Sequence, residues 1–291
     1  MNIILFSRKQ ANHRPDQIRA MWDSIHRLGF DYAINSEFVE VVEECVAESI
    51  SEEHIYTRTP LLRGEDILVT YGGDGTLLEA VGLLSGHQIP VVGINCGRLG
   101  YLTVDNGEGI VELFERIARG EVLYEERRML TIESGVDSIA ADECLALNEI
   151  AILRNGASMV AIEAFIDDKP VATYHGDGLI VATPTGSTAY SLSVGGPILG
   201  PMCRCLILSP IAPHNLTMRP LVVPDDVRIR LRLHSRDGEV LLTADNHTFS
   251  LHDGEEVVLR LATKSLILAT PHNNTFFDAL REKLMWGVDK R

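Results

Sequence analysis

Asp66-Ile67-Leu68-Val69-Thr70-Tyr71-Gly72-Gly73-Asp74-Gly75-Thr76 decides the fold of the first part of this chain. An apolar run feeds a glycine-bearing turn, and an apolar-periodic segment, residues 77–84, follows. That order reads as strand, tight turn, helix, the place where α/β proteins commonly hold phosphates. Further along, Asp177-Gly178-Leu179-Ile180-Val181-Ala182-Thr183-Pro184-Thr185-Gly186-Ser187-Thr188-Ala189-Tyr190-Ser191-Leu192-Ser193 has a similar shape. A short apolar strand runs into hydroxyls, a glycine and a proline. Gly186, Ser187 and Thr188 offer backbone N–H groups and hydroxyls to an anion or a sugar. Two polar, glycine-bearing turns, each launched from an apolar strand, predict one nucleotide site built from two parts of the chain.

Outward from the first turn the pattern alternates. Residues 2–7 read as a strand, and Ile18, Met21, Trp22, Ile25 and Leu28 form a helical stripe that Gly29 ends. Residues 67–70 and 91–95 read as buried strands. Ile110, Leu113, Phe114 and Ile117 mark a further helix, stopped by Gly120. Alternating strands and helices imply a parallel sheet with right-handed crossovers. After about residue 121 the pattern becomes short strands, at 130–133, 145–153, 160–166, 171–174, 179–182, 206–211, 227–233, 240–243, 257–261 and 266–269. Turns fall at 167–169, Asp237-Gly238 and Asp253-Gly254. The expected fold is an α/β N-terminal domain over 1–120 and a β-rich, sandwich-like domain over 121–270. A C-terminal helix, 276–286 within 271–291, should return to the first domain and cover its Phe277, Leu280 and Leu284.

Composition narrows the function. The 291 residues suit one large domain or two intimate ones, and 45% of them are apolar. The 41 acidic and 26 basic residues give a net charge of −15. That balance argues against a nucleic-acid partner, since neutralising phosphates needs clustered Lys and Arg. It leaves room for a small phosphorylated ligand held by a few local donors. No apolar segment has the roughly 18–20 residues of a membrane span. Residues 1–7 read as a first strand rather than a signal peptide. Five cysteines make a disulfide scaffold improbable and imply a reducing, cytoplasmic setting. Cys203 and Cys205 are spaced too tightly for the usual zinc pattern, and no metal-ligand set is read from the sequence.

At Gly72, Gly73 and Gly75 the backbone can approach phosphate oxygens without a Cβ in the way. A carboxylate planted among them would repel phosphate unless it handles a proton or an indirect divalent cation, so Asp74 is a candidate general base. The alternative is an Asp that caps the next helix with support from Thr76. Asn148 and Glu149 interrupt an otherwise apolar strand. They read either as an edge-strand polar pair or as ligands of a ribose diol, whose hydroxyls both donate and accept. The P-loop and G-x-G-x-x-G fingerprints are absent.

Together these residues resemble bacterial NAD kinase. The resemblance rests on Gly72-Gly73-Asp74-Gly75-Thr76, Asn148-Glu149 and the Asp177 to Ser193 stretch continuing to Gly195-Gly196-Pro197. Asn95-x-Gly97-x-Leu99-Gly100-Tyr101-Leu102, Arg219-Pro220-Leu221 and Asp245 match as well, with Cys96 and Arg98 as variable positions inside the third motif. It covers essentially the whole chain. The first motif is shared with diacylglycerol and sphingosine kinases, whereas the long Ser/Thr motif is highly specific.

The resemblance implies ATP-dependent phosphorylation of NAD at the 2′-hydroxyl of its adenosine ribose, with Mg2+ or another divalent cation accompanying ATP. It makes Asp74 the general base and lets Gly72, Gly73 and Gly75 approach phosphates. Asn148 and Glu149 hold a ribose. Asp177, Thr185, Ser187, Thr188, Ala189, Tyr190, Ser191, Leu192 and Ser193 line the dinucleotide pocket, with Asp245 close by and His175 and His247 as further contacts. Asp177, next to Gly176 and before a buried strand, is expected to project at a strand mouth and accept from an amino group of adenine or nicotinamide. Partners are NAD and ATP, without nucleic acid or membrane, in a homo-oligomer, a dimer or tetramer built through the β-rich domain. A lipid kinase of the same superfamily and a non-catalytic dinucleotide-binding module are the alternatives. The first should lack the Asp177 motif, and the second has no use for Asp74 together with Asn148-Glu149.

Overall fold

The computed structural model describes residues 1–60, 62–63, 65–84, 87–97, 100–103, 109–134, 145–270 and 276–285. The chain forms two compact units, one made of Met1–Glu126 with Leu266–Arg291, the other of Arg127–Ser265.

In the first unit β1 (Asn2–Phe6), α1 (Pro15–Arg27), β2 (Asp31–Asn35), α2 (Ser36–Val46), β3 (Ile55–Tyr56), β4 (Ile67–Gly72), α3 (Asp74–Gly82), β5 (Pro90–Asn95) and α4 (Ile110–Arg119) follow one another. The strands pair in parallel, in the order β5-β4-β1-β2-β3. Every residue of β4 is buried, as expected of a parallel strand covered on both faces. Ile3, Leu5, Val69 and Val92 pack with Ile18, Met21 and Ile25 of α1 and with Leu113, Phe114 and Ile117 of α4. Pro15 starts α1 with its φ already set for the helix, and its missing N–H costs nothing in the first turn.

β6 (Leu123–Ser134) leads from one unit into the other. The second unit continues with β7 (Leu145–Ala146), β8 (Glu149–Arg154), β9 (Val160–Ile166), β10 (Lys169–Gly176), β11 (Gly178–Ala182), the short helix α5 (Tyr190–Ser193), β12 (Cys205–Ile211), β13 (Leu221–Pro224), β14 (Ile229–Ser235), β15 (Glu239–Ala244), β16 (His247–His252) and β17 (Glu256–Thr270). A six-stranded antiparallel sheet has the order β13-β12-β11-β8-β15-β16. A second antiparallel sheet contains β10, β9, β14 and the start of β17. Ile150, Ile152, Leu179, Val181 and Leu242 share one core with Ile162, Ile229, Leu231 and Val257, so the two sheets form a sandwich. The outer face of the six-stranded sheet is apolar too. Ala151, Ile180, Ala182 and Ile207 lie there under Val194 and Leu199, which is why β11 is buried along its whole length.

The α/β plus β-rich architecture with a closing helix is the one the sequence implies, and several details differ. Residues 257–261 and 266–269 belong to one strand, β17, because Ala262-Thr263-Lys264-Ser265 carries no turn residue and stays extended. Its start pairs antiparallel with β14, and Ile267 and Leu268 pair in parallel with β5. The run 145–153 is interrupted at Leu147-Asn148. β2, α2, β3, β13 and β16 escaped the sequence pattern. In α2, SEFVEVVEECV mixes strand-favouring valines with glutamates, and only the Asn35 side chain, accepting from Glu37 N–H, signals a helix start.

The closing helix α6 (Phe276–Leu284) is turned one residue from the expected stripe. Ala279 and Leu280 are buried, whereas Phe277 is 65% and Leu284 38% exposed. The inward face is Phe276, Ala279 and Leu280, with Phe276 against Tyr101, and the exposed Lys283 follows at i+7. Trp286 and the remainder of 286–291 lie outside the described residues. No helix among the described residues is long and apolar enough to cross a membrane.

Between β9 and β10, Asp167 and Asp168 both have positive φ, 48° and 61°, in a two-residue hairpin turn. Asp167 earns its place by accepting from Arg228 N–H, while Asp168 makes only an ion pair with Arg230, which Glu256 also holds. Asp168→Gly is therefore expected to stabilise the protein by about 0.5 kcal/mol, since glycine removes the left-handed strain and the exposed pair contributes little. Urea unfolding checks this, and a lower midpoint for the variant would contradict it.

Candidate functional site

The carboxyl ends of β1, β4 and β5, adjacent parallel strands, carry Arg8, the 72–75 turn and the 95–103 segment. In open α/β sheets that edge is where ligands bind. Gly72 ends β4 buried, and Gly73 is extended and precedes α3. A Cβ on Gly73 would meet no heavy atom within 4 Å. Gly75 lies in the first turn of α3, where its carbonyl accepts from Arg8 Nη2 at 2.8 Å while Arg8 Nε pairs with Glu79.

Asp74 is the first residue of α3 and caps nothing. Its Oδ2 accepts from Tyr101 N–H at 2.8 Å, and its Oδ1 from Leu102 N–H, Thr103 N–H and the Thr103 hydroxyl, each at 3.2 Å. Three successive backbone N–H groups converging on one carboxylate form an anion nest filled by the protein itself. The Asn95 motif builds that nest. Asn95 Nδ2 donates to the Thr103 hydroxyl oxygen at 3.0 Å, and Asn95 Oδ1 accepts from Gly97 N–H at 2.7 Å. A side chain at Gly100 would overlap Asp74 Oδ1, so the segment can close on the carboxylate only with glycine there. Arg98 and Leu99 lie outside the described residues. Lys283 Nζ of α6 is 3.5 Å from Asp74 Oδ2 and 4.3 Å above the centre of the Tyr101 ring.

In the second unit a similar arrangement surrounds Asn148 and Glu149. Asp245 sits with φ 47° in the two-residue turn between β15 and β16. Its carboxylate accepts from Leu147 N–H at 2.7 Å and from Asn148 and Glu149 N–H at 3.0 Å, while Asp245 N–H donates to Glu149 O at 3.1 Å. The break between β7 and β8 is thus held open as a defined shape. Thr183 fastens it from the other side, its hydroxyl donating to Leu147 O at 2.6 Å and its N–H to Asn148 O at 2.9 Å. A side chain on Gly186 would overlap the Asn148 backbone.

Glu149 Oε2 is buried and has no hydrogen-bond partner among the described residues. Burial and the nearby Asp245 carboxylate push the Glu149 carboxyl up to about 8, against a single opposing backbone N–H from Tyr190. Burial also raises Asp245, opposed by its three N–H donors and by His247. Asp245 has the more hydrogen-bond donors to its charged form, so the proton at neutral pH favours Glu149.

The hydroxyls of the long motif divide into two groups. Thr183, Ser187 and Ser191 are buried, and each of these hydroxyls is committed internally: Ser187 exchanges bonds with Leu199, and Ser191 pairs with Ser209 at 2.9 Å. Thr185 is buried as well, and its carbonyl accepts from the Thr188 hydroxyl. Thr188, Ala189 and Leu192 are half-buried, and Tyr190 and Ser193 are exposed. Asp177 lies in the bend between β10 and β11, where its carboxylate accepts from Arg154 Nε at 2.7 Å. His175 and His247 are exposed on β10 and β16. Sequence reading passed over Arg8, Thr103 and Lys283, and gave Asn95 no role beyond its place in a motif. Asn95, a polar residue closing an apolar strand that runs parallel beside β4, carried a readable signal, whereas Lys283 on an amphipathic helix carried none.

A parallel sheet with loops converging at its carboxyl edge, followed by a β-sandwich, defines a phosphotransferase of the two-domain kinase type once comparisons are added. The family model of the ATP-NAD kinase N-terminal domain matches residues 24–122, and that of the ATP-NAD kinase C-terminal domain matches residues 147–270. An NAD kinase of Porphyromonas gingivalis is 37% identical over 298 residues, covering 99% of each chain. Among solved structures, yeast NADH kinase complexed with NADH superposes with a TM-score of 0.83 at 25% identity, covering 100% of this chain and 89% of that one. An NAD kinase from Archaeoglobus fulgidus in complex with ATP gives 0.74 at 26%, covering 97% and 99%. The chain belongs to the ATP-NAD kinase family.

The Glu149 environment has a consequence for stability. A carboxyl raised from 4.5 to about 8 by folding favours the folded state fully below the lower value and loses that contribution as pH rises through the upper one. Unfolding free energy of the ligand-free protein should fall between about pH 5 and pH 8, and Glu149→Gln should flatten this slope. Denaturant titrations of both proteins across that range measure it. Equal slopes would show that Glu149 ionises freely.

Proposed function

We propose that Asp74 is the general base in ATP-dependent phosphorylation of NAD, the activity of this family, and that it takes the proton of the 2′-hydroxyl of the adenosine ribose. The ribose oxygen bonds to the γ-phosphorus as the bond from that phosphorus to the β,γ-bridging oxygen breaks. ADP leaves, and the hydroxyl proton passes to Asp74. A ribose hydroxyl is a weak nucleophile, and a carboxylate in hydrogen-bond reach removes its proton as the new bond forms.

The observation that carries this reading is the nest. Asp74 is fixed by four donors from 101–103 rather than spent as a helix cap, and its side chain is still 27% exposed. The space in front of Gly73 supports phosphate approach at the 72–75 turn, with Arg8 as a nearby positive charge.

Asn148 and a neutral Glu149 hold a ribose diol in this reading. A protonated carboxyl both donates and accepts, as a sugar hydroxyl requires, and the unpartnered Glu149 oxygen supports the assignment. Thr188, Ala189, Tyr190, Leu192 and Ser193, together with Asp177, line the dinucleotide pocket, with His175 and His247 as further contacts. Thr185, Ser187 and Ser191 shape it from behind. The divalent cation, Mg2+ for instance, enters as part of the ATP complex. Asp74 is a poor ligand for it, because its oxygens already face five donors including an ammonium group. The protein works as a cytoplasmic homo-oligomer, for which the exposed Leu221 and Val222 of β13 offer an apolar edge.

Asp74→Asn separates chemistry from scaffolding. The amide has one oxygen and one NH2, so it faces at least one backbone N–H of 101–103 with a donor. Stability should drop by about 1–3 kcal/mol for the unpaired group. Turnover should fall about 10²–10⁴-fold while NAD still binds, read from coupled NADP formation and from NAD titration. A variant of reduced stability that turns over at full rate would reduce Asp74 to a clamp.

A further inference from the structure

We propose that Lys283, on the C-terminal helix, is a positioning residue for Asp74, an inference that rests on the general-base reading above. The two are separated by 209 positions in sequence, yet Lys283 Nζ stands 3.5 Å from Asp74 Oδ2. The ammonium lies 4.3 Å above the Tyr101 ring, and Tyr101 also supplies the N–H that donates to that same oxygen. One residue thus holds the carboxylate through its backbone and carries the cation through its ring. Lys283 and Asp74 side chains are 29% and 27% exposed, so the pair is partly withdrawn from solvent.

The lysine is set by packing. Phe276, Ala279 and Leu280 fix the inward face of α6, and Lys283 follows one turn on, at the exposed border of that face. Its ammonium sits over the Tyr101 ring and reaches the carboxylate at the same time. An ion pair this exposed adds little to stability. Its effect falls on the direction of Oδ2. Among the described residues Oδ1 is engaged by three donors, whereas Oδ2 has Tyr101 N–H and the ammonium. Oδ2 is therefore the less crowded oxygen for a hydroxyl proton, and Lys283, held at 3.5 Å, orients the carboxylate that presents it.

The test is Lys283→Met, which keeps an unbranched side chain of similar length and removes the charge, beside Lys283→Arg, which restores it. Kinetics with NAD and ATP varied separately, together with thermal unfolding, are measured for each. The expected result for Lys283→Met is kcat down about tenfold with both KM values within about twofold and an unchanged unfolding midpoint, since contacting groups couple by this order. Lys283→Arg should recover most of the loss. In an Asp74→Asn background Lys283→Met should cost nothing further. The proposal is overturned by an unchanged kcat, by a rise in ATP KM alone, which would make the ammonium a phosphate contact, or by full additivity with Asp74→Asn. If Lys283→Met also lowers the unfolding midpoint, Lys283→Arg decides: a restored midpoint without restored kcat overturns it too. Failure of the general-base reading looks different, because Asp74→Asn alone would then keep its turnover.

Discussion

A carboxylate that accepts three consecutive backbone N–H groups is the interaction on which both units of this protein build their candidate sites. Asp74 does it with Tyr101, Leu102 and Thr103, and Asp245 does it with Leu147, Asn148 and Glu149. Three aligned N–H dipoles fix an irregular segment that has no ladder of its own, and they do so without a metal or a disulfide. Both segments are breaks next to buried strands, where backbone donors would otherwise go unpaired. The same interaction serves two ends. In the first unit it fixes a partly exposed carboxylate, whereas in the second it fixes the segment and leaves the Asn148 and Glu149 side chains uncommitted to it.

The electrostatic outcome differs accordingly. Asp245 has a second carboxyl beside it, and burial raises both groups against the N–H donors that oppose it. One proton is retained, and it settles on Glu149, whose only opposing donor is Tyr190 N–H. Asp74 is less buried and has an ammonium group near by. One carboxyl is thus placed beside a cation and the other beside an anion.

Much of this was legible in the sequence wherever one residue type had one physical use. The period-two runs of β9, β14 and β15, the helical stripes of α1 and α4, and the turn at Asp167-Asp168 all followed from local pattern. Asp74 and Asn148-Glu149 stood out because charged or amide groups beside apolar strands need a reason. What local pattern could not reveal was pairing at a distance. The partner of Asp74 lies at 101–103 and 283, and that of Asn148-Glu149 lies at 245, so neither clamp has a spacing to read. Strand β16, HTFSLH, and helix α2, with its valines, misled for the opposite reason: tertiary pairing overrode weak local preference.

The Ser/Thr motif shows why a specific signature need not be a list of ligand contacts. Buried hydroxyls must find partners, and Thr183, Ser187 and Ser191 find them in Leu147, Leu199 and Ser209. Those three bonds tie the segment after β11 to the Asn148 break, to the 199 loop and to β12. The half-buried and exposed positions between them, Thr188 to Tyr190, are thereby held on a rigid support with their outward faces uncommitted. Replacing one of the inner hydroxyls by an apolar group would leave its partner unsatisfied and loosen the outer residues that touch nothing of it. A contiguous stretch of small hydroxyl residues thus lets a short segment be anchored on one side and leave its other side uncommitted.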